Sequence, residues 1–380
     1  MIRRLVGFTD KIKDIYRDME EGVGLENCVN IDADETGMDI YYFNGFSAVE
    51  RNIDYIIEDN FEANIPFDNI KYFADSNREQ LNYKIERGEL YVSNSVGDDY
   101  TRLRSVDMLY PSPFSLDEDN MLELKVRAYE IVTILQEMID YIEDASSESK
   151  VSSGINVNFD KDTGDVKFFA SNSTSITEVK FGELKQKPLD DRDYFLPIRT
   201  MREIVRLYTD NAMDVLTISI DDNYIRIDNE VFKYYSKLNY SGYPDVEYMT
   251  DRKLSEQVVE SNKDNFIHDI NAIKGTVGIL YDKSVVRLNV TEVNNRDYIE
   301  ISSINEETKI MHEIAHVNEQ FESTGFINTE NIDAFLGIIN SFSGSDTFKI
   351  HFPESEAGFY VFKSNNVKVY LLGAKLNNDD

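Results

Sequence analysis

The chain has 380 residues, enough for two or three domains, and with 41% hydrophobic and 12% aromatic residues it is globular rather than a disordered acidic tail. Cys28 is the only cysteine, which excludes an internal disulfide and a cysteine-cluster metal site and favours a reducing compartment. The formal net charge of −32 argues against an ordinary high-affinity DNA-binding domain and against a peripheral protein of anionic membranes, unless basic residues gather in one place.

No stretch approaches the roughly 20 apolar residues that span a bilayer, and the first 16 residues have no apolar core like that of a signal peptide. Neither a membrane span nor a signal peptide is therefore expected.

Helical patterns occur once in each third of the chain. Apolar residues at 3.6-residue spacing instead predict three amphipathic helices. Their apolar faces are Phe8, Ile12, Ile15, Tyr16 and Met19; then Ala128, Ile131, Leu135, Met138, Ile139 and Ile142; then Phe266, Ile267, Ile270 and Ile273.

Alternating patterns between these helices predict antiparallel hairpins. The segments are 29–43, 155–171 and 215–228, with turn residues near their centres at 35–37, 162–164 and 221–223. The polar segment 144–153 is predicted to be a solvated loop. Helices and hairpins together indicate an α+β protein with helices on one face of its sheets.

One local pattern recurs three times at a constant interval. An apolar strand end, a polar or proline break and a helical stripe follow one another around Ile65, Leu196 and Ile327, which are 131 residues apart (196 − 65 and 327 − 196). Ser105 and Ser236, each ahead of a Tyr-Pro pair, repeat the step of 131. Chance alignment is less convincing than repetition when two intervals agree. We therefore predict three similar domains, 1–118, 119–251 and 252–380, each with two helices packed on antiparallel sheets.

The order of these segments resembles that of the bacterial DNA sliding clamps, the β-subunit family of DNA polymerase III. The resemblance covers most of the chain and is strongest after residue 190. The first domain matches least, since the usual N-terminal strand is nearly absent before the Phe8 helix. The matching segments are Tyr194–Pro197 with Arg199 and Arg206 behind it, 236–238 running into 242–245, Asp282–Leu288 and the ending Val369–Leu376.

The resemblance implies a head-to-tail homodimer whose six domains form a closed ring, with helices lining a central hole. Such a ring performs no chemistry and needs no metal or cofactor. It encircles double-stranded DNA without reading its sequence and tethers the replicative DNA polymerase, with a clamp loader as a further partner. A ring that slides along DNA must not bind the phosphates tightly, so the charge of −32 fits this function. The implied location is the cytoplasm of a bacterium, or of its host if a virus encodes the chain.

Basic residues suggest where such a ring would face DNA. Arg199, Arg202 and Arg206 follow i, i+3, i+7 spacing and form one stripe along a predicted helix, whose core face is expected to carry Ile198, Met201, Ile204, Val205 and Tyr208. Glu203 is close enough to pair with the stripe, so a salt-bridged surface remains an alternative. Further candidates, for which ordinary surface charge is an equal alternative, are Lys13, Arg17, Lys71 and Lys274.

The resemblance also implies a groove between the second and third domains that receives a short peptide from partner proteins. Plain core packing is the alternative for each apolar member. The sequence departs from the family's usual residues at Thr174, Tyr248 and Gly373, so the groove is expected to prefer a different peptide. The matching positions are Ser171, Ser173, Thr174, Ile176, Pro244, Tyr248, Met249, Leu372, Gly373 and Ala374.

Two other functions compete with this interpretation. Residues 312–316 read His-Glu-Ile-Ala-His, and on a helix His312 and His316 would bind zinc while Glu313 served as general base of a metallopeptidase. The surrounding sequence, however, reads as an extended strand. The second alternative is an acidic, non-enzymatic scaffold or DNA mimic, which explains the charge but needs neither a triple repeat nor an arginine stripe.

Overall fold

The computed structural model consists mainly of antiparallel sheets and divides into two compact units, Met1–Val132 with Arg199–Asn239, and Thr133–Ile198 with Tyr240–Asp380. Within the described part, no helix is long and apolar enough to cross a membrane. The structure describes residues 3–6, 19, 28–34, 37–53, 60–67, 69, 80–86, 89–93, 101–103, 114, 116–117, 121–143, 154–171, 175–184, 187–229, 232–238, 250, 254–280, 285–303, 308–318, 321, 323–328, 336–340, 345–353 and 358–373.

The first third of the chain contributes two half-sheets of four strands, with the orders β1-β6-β7-β8 and β5-β2-β3-β4. The predicted hairpin at 29–43 is confirmed as β2 and β3. The N-terminal strand was expected to be nearly absent when the sequence was set against the family pattern. It does form, as β1, and pairs with β6, so that expectation was wrong. The strands are β1 (Arg3–Val6), β2 (Cys28–Ala33), β3 (Met38–Phe43), β4 (Ser47–Ile53), β5 (Phe61–Pro66), β6 (Gln80–Glu86), β7 (Glu89–Ser93) and β8 (Thr101–Leu103).

The second third repeats this plan with the orders β9-β14-β15-β16 and β13-β10-β11-β12. Its predicted first helix and both predicted hairpins are confirmed. The elements are β9 (Leu122–Arg127), α1 (Ala128–Glu143), β10 (Gly154–Phe159), β11 (Asp165–Ser171), β12 (Ser175–Glu183), β13 (Arg192–Pro197), α2 (Ile198–Thr209), β14 (Val215–Ile220), β15 (Tyr224–Asp228) and β16 (Phe232–Lys237).

The last third has the orders β17-β23-β24-β25 and β22-β18-β19-β20, with the short β21 added beside β17. Its predicted first helix is confirmed and is longer than its apolar stripe. Residues 336–340 are also helical. The elements are β17 (Val258–Asn262), α3 (Lys263–Leu280), β18 (Val285–Val293), β19 (Arg296–Ser303), β20 (Lys309–Glu313), β21 (Ala315–His316), β22 (Ser323–Asn328), β23 (Thr347–His351), β24 (Phe359–Ser364) and β25 (Val367–Leu372).

The repeat predicted from the sequence is visible in the strands. β5, β13 and β22 each have six residues and begin 131 residues apart, at Phe61, Arg192 and Ser323. Each is the edge strand of a half-sheet that it closes in the same order. The predicted breaks after Ile65 and Leu196 are confirmed, since a helical residue follows each strand at once.

Two pairings join half-sheets into larger sheets. β4 pairs with β16 to give a sheet of eight strands, here named the first joint. β12 pairs with β25 to give a sheet of nine strands, here named the second joint. The half-sheets β1-β6-β7-β8 and β22-β18-β19-β20 remain four-stranded. The joints are thus two copies of one connection between successive repeats.

Helix packing follows the predicted apolar faces with one correction. Met201, Ile204 and Tyr208 of α2 are buried as expected, whereas Ile198 and Val205 are only half-buried. Leu207, Thr200 and Glu203 are buried instead, because the helix is packed on a wider face than the apolar spacing indicates. The predicted first helix, apart from the buried Met19, and the predicted loop 144–153 lie outside the described residues.

Candidate functional site

The arginine stripe lies on α2, which begins directly after β13. The Arg199 side chain is 32% exposed, Arg202 is half-buried and Arg206 is exposed. The Nε atom of Arg199 lies 3.7 Å from the Glu203 carboxylate, and its guanidinium carbon lies 5.6 Å from the centre of the Phe46 ring. The first arginine is therefore engaged within its own unit, while the last reaches solvent. A role of the stripe in DNA binding stays a prediction.

Glu203 is fully buried and anchors α2 to the first joint. Its carboxylate accepts hydrogen bonds from Asn44 Nδ2 at 3.1 Å, Ser47 Oγ at 2.5 Å and the Tyr234 hydroxyl at 2.8 Å. A buried carboxylate is costly unless it is paired and hydrogen-bonded, and here it is both. Burial, followed by the Glu203 charge, holds the pKa of Tyr234 well above its ordinary value, so this hydroxyl stays a donor.

The other predicted DNA contacts are not tested by the described residues. Lys13, Arg17 and Lys71 lie outside them. The backbone of Lys274 belongs to α3, but its side chain is among those not described. All four remain predictions.

The His-Glu-Ile-Ala-His segment is extended, as its flanking pattern indicated. His312 lies in β20 and His316 in β21, so they do not share a helix face. Strand residues four apart lie roughly 13 Å apart, too far to bind one ion. His312 Nδ1 lies 3.1 Å from Asp269, and His316 Nε2 lies 3.4 Å from Asp297. No group of three or more metal-binding side chains occurs within the described ranges. The zinc-peptidase hypothesis is therefore contradicted by the local fold.

Four positions of the predicted peptide groove are described, and two of them, Ile176 and Leu372, lie on the strands of the second joint. Ser171 ends β11 opposite Ile176 of β12. Ile176 in turn lies opposite Tyr370 of β25, two residues before the 39%-exposed Leu372. Gly373 follows and is half-buried. Their role stays a prediction. The remaining positions, Ser173, Thr174, Pro244, Tyr248, Met249 and Ala374, lie outside the described residues.

An apolar cluster crosses the second joint on one face of the sheet. Ile176, Tyr370 and Val361 lie directly opposite one another on three neighbouring strands, and Phe169 completes the buried group. Side chains directly opposite in an antiparallel sheet lie on the same face. We name this group, with the half-buried Leu254 and Phe359 that pack against it, the second-joint patch.

A charged pair lies beside this patch. Lys368 Nζ lies 2.8 and 3.0 Å from the two carboxylate oxygens of Glu178, which also accepts a hydrogen bond from the Tyr370 hydroxyl at 3.3 Å. The Glu178 side chain is only 9% exposed, so this pair is partly desolvated. The sequence analysis missed it. The available signal was the Lys-x-Tyr pattern of β25, which also occurs in β16 as Lys233–Tyr235.

Comparison with solved structures identifies the fold. The chain matches the Helicobacter pylori β clamp bound to a DNA ligase peptide with a TM-score of 0.76 and 14% identity, covering 99% of this chain and 100% of that one. It matches a Pseudomonas aeruginosa DNA polymerase sliding clamp with a TM-score of 0.75, 12% identity and the same coverage. For the β subunit of Streptococcus pyogenes DNA polymerase the TM-score is 0.71 and the identity 18%, over 97% and 98% of the two chains.

No protein-family model and no curated protein matches the sequence. The chain has the sliding-clamp fold over nearly its whole length, and at 12–18% identity the likeness concerns the fold. The resemblance drawn from segment order is thus confirmed at that level.

Proposed function

We propose that this chain is a DNA sliding clamp, a processivity factor that encircles double-stranded DNA and tethers the replicative DNA polymerase. The observation that carries the proposal is the threefold repeat of half-sheets, joined in series at two joints. Together with the fold shared with bacterial sliding clamps, this repeat supports the three domains 1–118, 119–251 and 252–380. The function is topological, so the protein acts without catalysis or a cofactor.

The two half-sheets left over at the ends of the series suggest how the ring closes. β4 and β12 are edge strands of their own half-sheets, and across the joints they pair with β16 and β25. β20 has the same edge position in its half-sheet as β4 and β12 have in theirs. β8 is the edge that corresponds to β16 and β25. A third joint of the same kind between β20 of one chain and β8 of another closes a head-to-tail homodimer, and two such joints give a ring of six domains.

DNA retention by such a ring needs few phosphate contacts. The exposed Arg206 and the half-buried Arg202 offer a modest basic stripe, while the chain as a whole carries −32. Contacts of this kind are weak, independent of base sequence and screened by salt. Sliding along DNA follows, because topology rather than affinity keeps the ring in place.

Partner proteins are proposed to dock at the second joint. The half-buried Leu254 and Phe359 of the second-joint patch lie over its buried cluster at the predicted groove, and Leu372 beside them is exposed. Among the structural neighbours, the Helicobacter pylori clamp carries a DNA ligase peptide. The partners proposed here are the replicative polymerase and a clamp loader in the cytoplasm, each contributing a short peptide with apolar anchor residues.

Mass and shape in solution test this proposal. Sedimentation equilibrium at micromolar concentration should give about 88 kDa, twice the 43.9 kDa of one chain. Negative-stain electron microscopy of the same sample should give six-lobed rings with an open centre. A monomer that forms no ring and binds DNA-binding proteins in place of DNA would instead favour the acidic scaffold or DNA mimic.

A further inference from the structure

A row of charged residues crosses the second joint on the face of the second-joint patch. Direct cross-strand pairs place five residues side by side on β12, β25, β24, β23 and β17. In order they are Glu178, Lys368, Lys363, Lys349 and Glu260. Lys363 lies two residues from Val361 of the patch, so both side chains project from the same face. Of the three lysines, only Lys368 has an ion-pair partner among the described residues.

The first joint supplies an internal reference for this row. Its corresponding positions are Glu50, Lys233, Asp228, Thr217 and Lys125, again joined by direct cross-strand pairs. There the charges alternate, which is the stable arrangement for neighbours across a sheet. In the second joint, lysines replace the aspartate and the threonine. Three lysines, Lys368, Lys363 and Lys349, thus lie side by side as two pairs of directly opposite like charges, an arrangement that costs stability by itself.

The two lysines face a cavity. Lys349, Lys363 and His351 line a space of about 420 Å³, together with the apolar side chains of Val258 and Val317. Glu260 is the carboxylate of this wall and neighbours Lys349 across the strands. Among the described residues, one carboxylate and two lysines give this wall a net positive charge, in a chain whose overall charge is −32.

His351 adds a further polar atom to this wall. Its Nδ1 lies 2.9 Å from the Ser255 carbonyl oxygen, and because a carbonyl only accepts, Nδ1 carries the proton. Its Nε2 is buried and has no hydrogen-bond partner among the described residues. Burial lowers the pKa of His351, and the charges of Lys363 and Lys349 lower it further against the opposing effect of the Ser255 bond. A bound carboxylate offsets the lysine charges and favours protonation of His351, and Nε2 can donate a hydrogen bond to it only in that protonated form.

We propose that this cavity is a subsite for a carboxylate side chain of the partner peptide whose apolar residues contact Leu372 and the half-buried Leu254 and Phe359 of the second-joint patch. The inference rests on the docking function proposed above and specifies its partner as an acidic peptide. The lysines lie one and two strands beyond β25, about 5–10 Å away. An extended chain covers this distance in roughly two or three residues, which sets the spacing between the apolar anchor and the acid.

The opposite end of the same joint excludes the reverse orientation. A smaller cavity of about 190 Å³ lies on the β10–β12 side, and its wall carries Asp160, Asp162, Asp191 and Asp193. Lys167, which lies 3.6 Å from Asp160, offsets part of this charge, and Lys368 of the same wall is paired with Glu178. A peptide carboxylate is repelled from this wall and attracted to the lysines, so charge fixes the side of the patch on which the acid lies.

Synthetic peptides test the subsite by fluorescence anisotropy. Each probe carries the apolar pair Leu-Phe, with Glu, Gln or Lys two or three residues to either side. The full-length protein should bind the best Glu probe about tenfold more tightly than its Lys counterpart, with a difference that shrinks as salt is raised. Equal binding of Glu and Lys probes overturns the subsite.

The matched variant copies the first joint into the second. Lys363→Asp with Lys349→Thr should abolish the preference for Glu, leave binding of the Gln probe unchanged and fold normally, since the first joint carries these residues. Lys363→Arg with Lys349→Arg should retain the preference. An unchanged preference in the first variant overturns the subsite while leaving the docking surface intact. Failure of every probe to bind overturns the docking surface and the subsite with it.

Discussion

The first and second joints hold their half-sheets together with the same three side chains. In each, a glutamate accepts from a lysine and from a tyrosine two residues further along the partner strand. The lysine–glutamate distances are 2.9 and 2.8 Å, and both tyrosine–glutamate distances are 3.3 Å. The groups are Glu50 with Lys233 and Tyr235, and Glu178 with Lys368 and Tyr370.

The joints differ in which described residues of the preceding linker pack onto them. The segment before β9 contributes Phe114, Leu116 and Met121 to the cluster at the first joint. Phe114 stacks on Tyr224 with ring centres 4.8 Å apart and meets Phe43 edge-on at 5.6 Å. From the described part of the segment before β17, Leu254 packs on the second joint and the Thr250 carbonyl accepts a hydrogen bond from the Tyr370 hydroxyl at 3.4 Å. Among the described residues, an aromatic ring of the chain's own linker, Phe114, covers the first joint.

A second difference concerns buried charge. The first joint is tied to α2 by Glu203, which is fully buried. The corresponding charged pairs differ in the other direction, since Glu50 and Lys233 are 26% and 46% exposed whereas Glu178 and Lys368 are 9% and 30% exposed. Repetition of a connection therefore does not imply equal burial of its charged groups.

The largest expected effect comes from removing the buried carboxylate. Glu203→Ala leaves three buried donors without their acceptor and should lower the free energy of unfolding by about 3–5 kcal/mol. Urea unfolding followed by circular dichroism measures this. Glu50→Ala at the same joint is the control and should cost only about 1 kcal/mol, because Glu50 is 26% exposed and its partner Lys233 can turn to water. Equal losses at the two sites would contradict the role of Glu203 as the buried anchor of the first joint.

Smaller effects are expected from the linker residues, with stability affected more at the first joint and peptide binding more at the second. Phe114→Ala removes a half-buried ring and its stacking, so the urea midpoint should fall with a loss of about 2 kcal/mol, while peptide binding stays unchanged. Leu254→Ala should cost about 1 kcal/mol but weaken binding of the uncharged Gln probe severalfold. A loss of binding in the Phe114 variant would mean that both joints dock peptides.

Local and periodic features of the fold were predictable from the sequence. The hairpins of 155–171 and 215–228 follow from alternation and turn residues, and the 131-residue step locates β5, β13 and β22. The burial of Glu203 was not predictable, because its acceptor role depends on Asn44 and Ser47, more than 150 residues away. Helical spacing reports which residues share a face but not what that face meets.

The candidate site was predictable only in part for the same reason. Ile176 and Leu372 were placed in one groove through the family resemblance, and the structure puts their strands side by side. The lysine pair was missed because Lys349 and Lys363 become neighbours only through the register of β23 and β24. Comparison of the two joints position by position is the signal that reveals it.

The most direct test of the ring is a topological one. Arg102 lies exposed on β8, and Met311 is 38% exposed on β20, the two edges proposed to meet, while the native Cys28 is buried. Arg102→Cys with Met311→Cys, treated with a flexible bis-maleimide on nicked circular DNA, should give a linked dimer that stays on the circle in detergent. Cutting both strands of the circle at one site should release the linked dimer. Neither single variant should be retained on the circle. A linked dimer that leaves circular and cut DNA alike would contradict the sliding clamp.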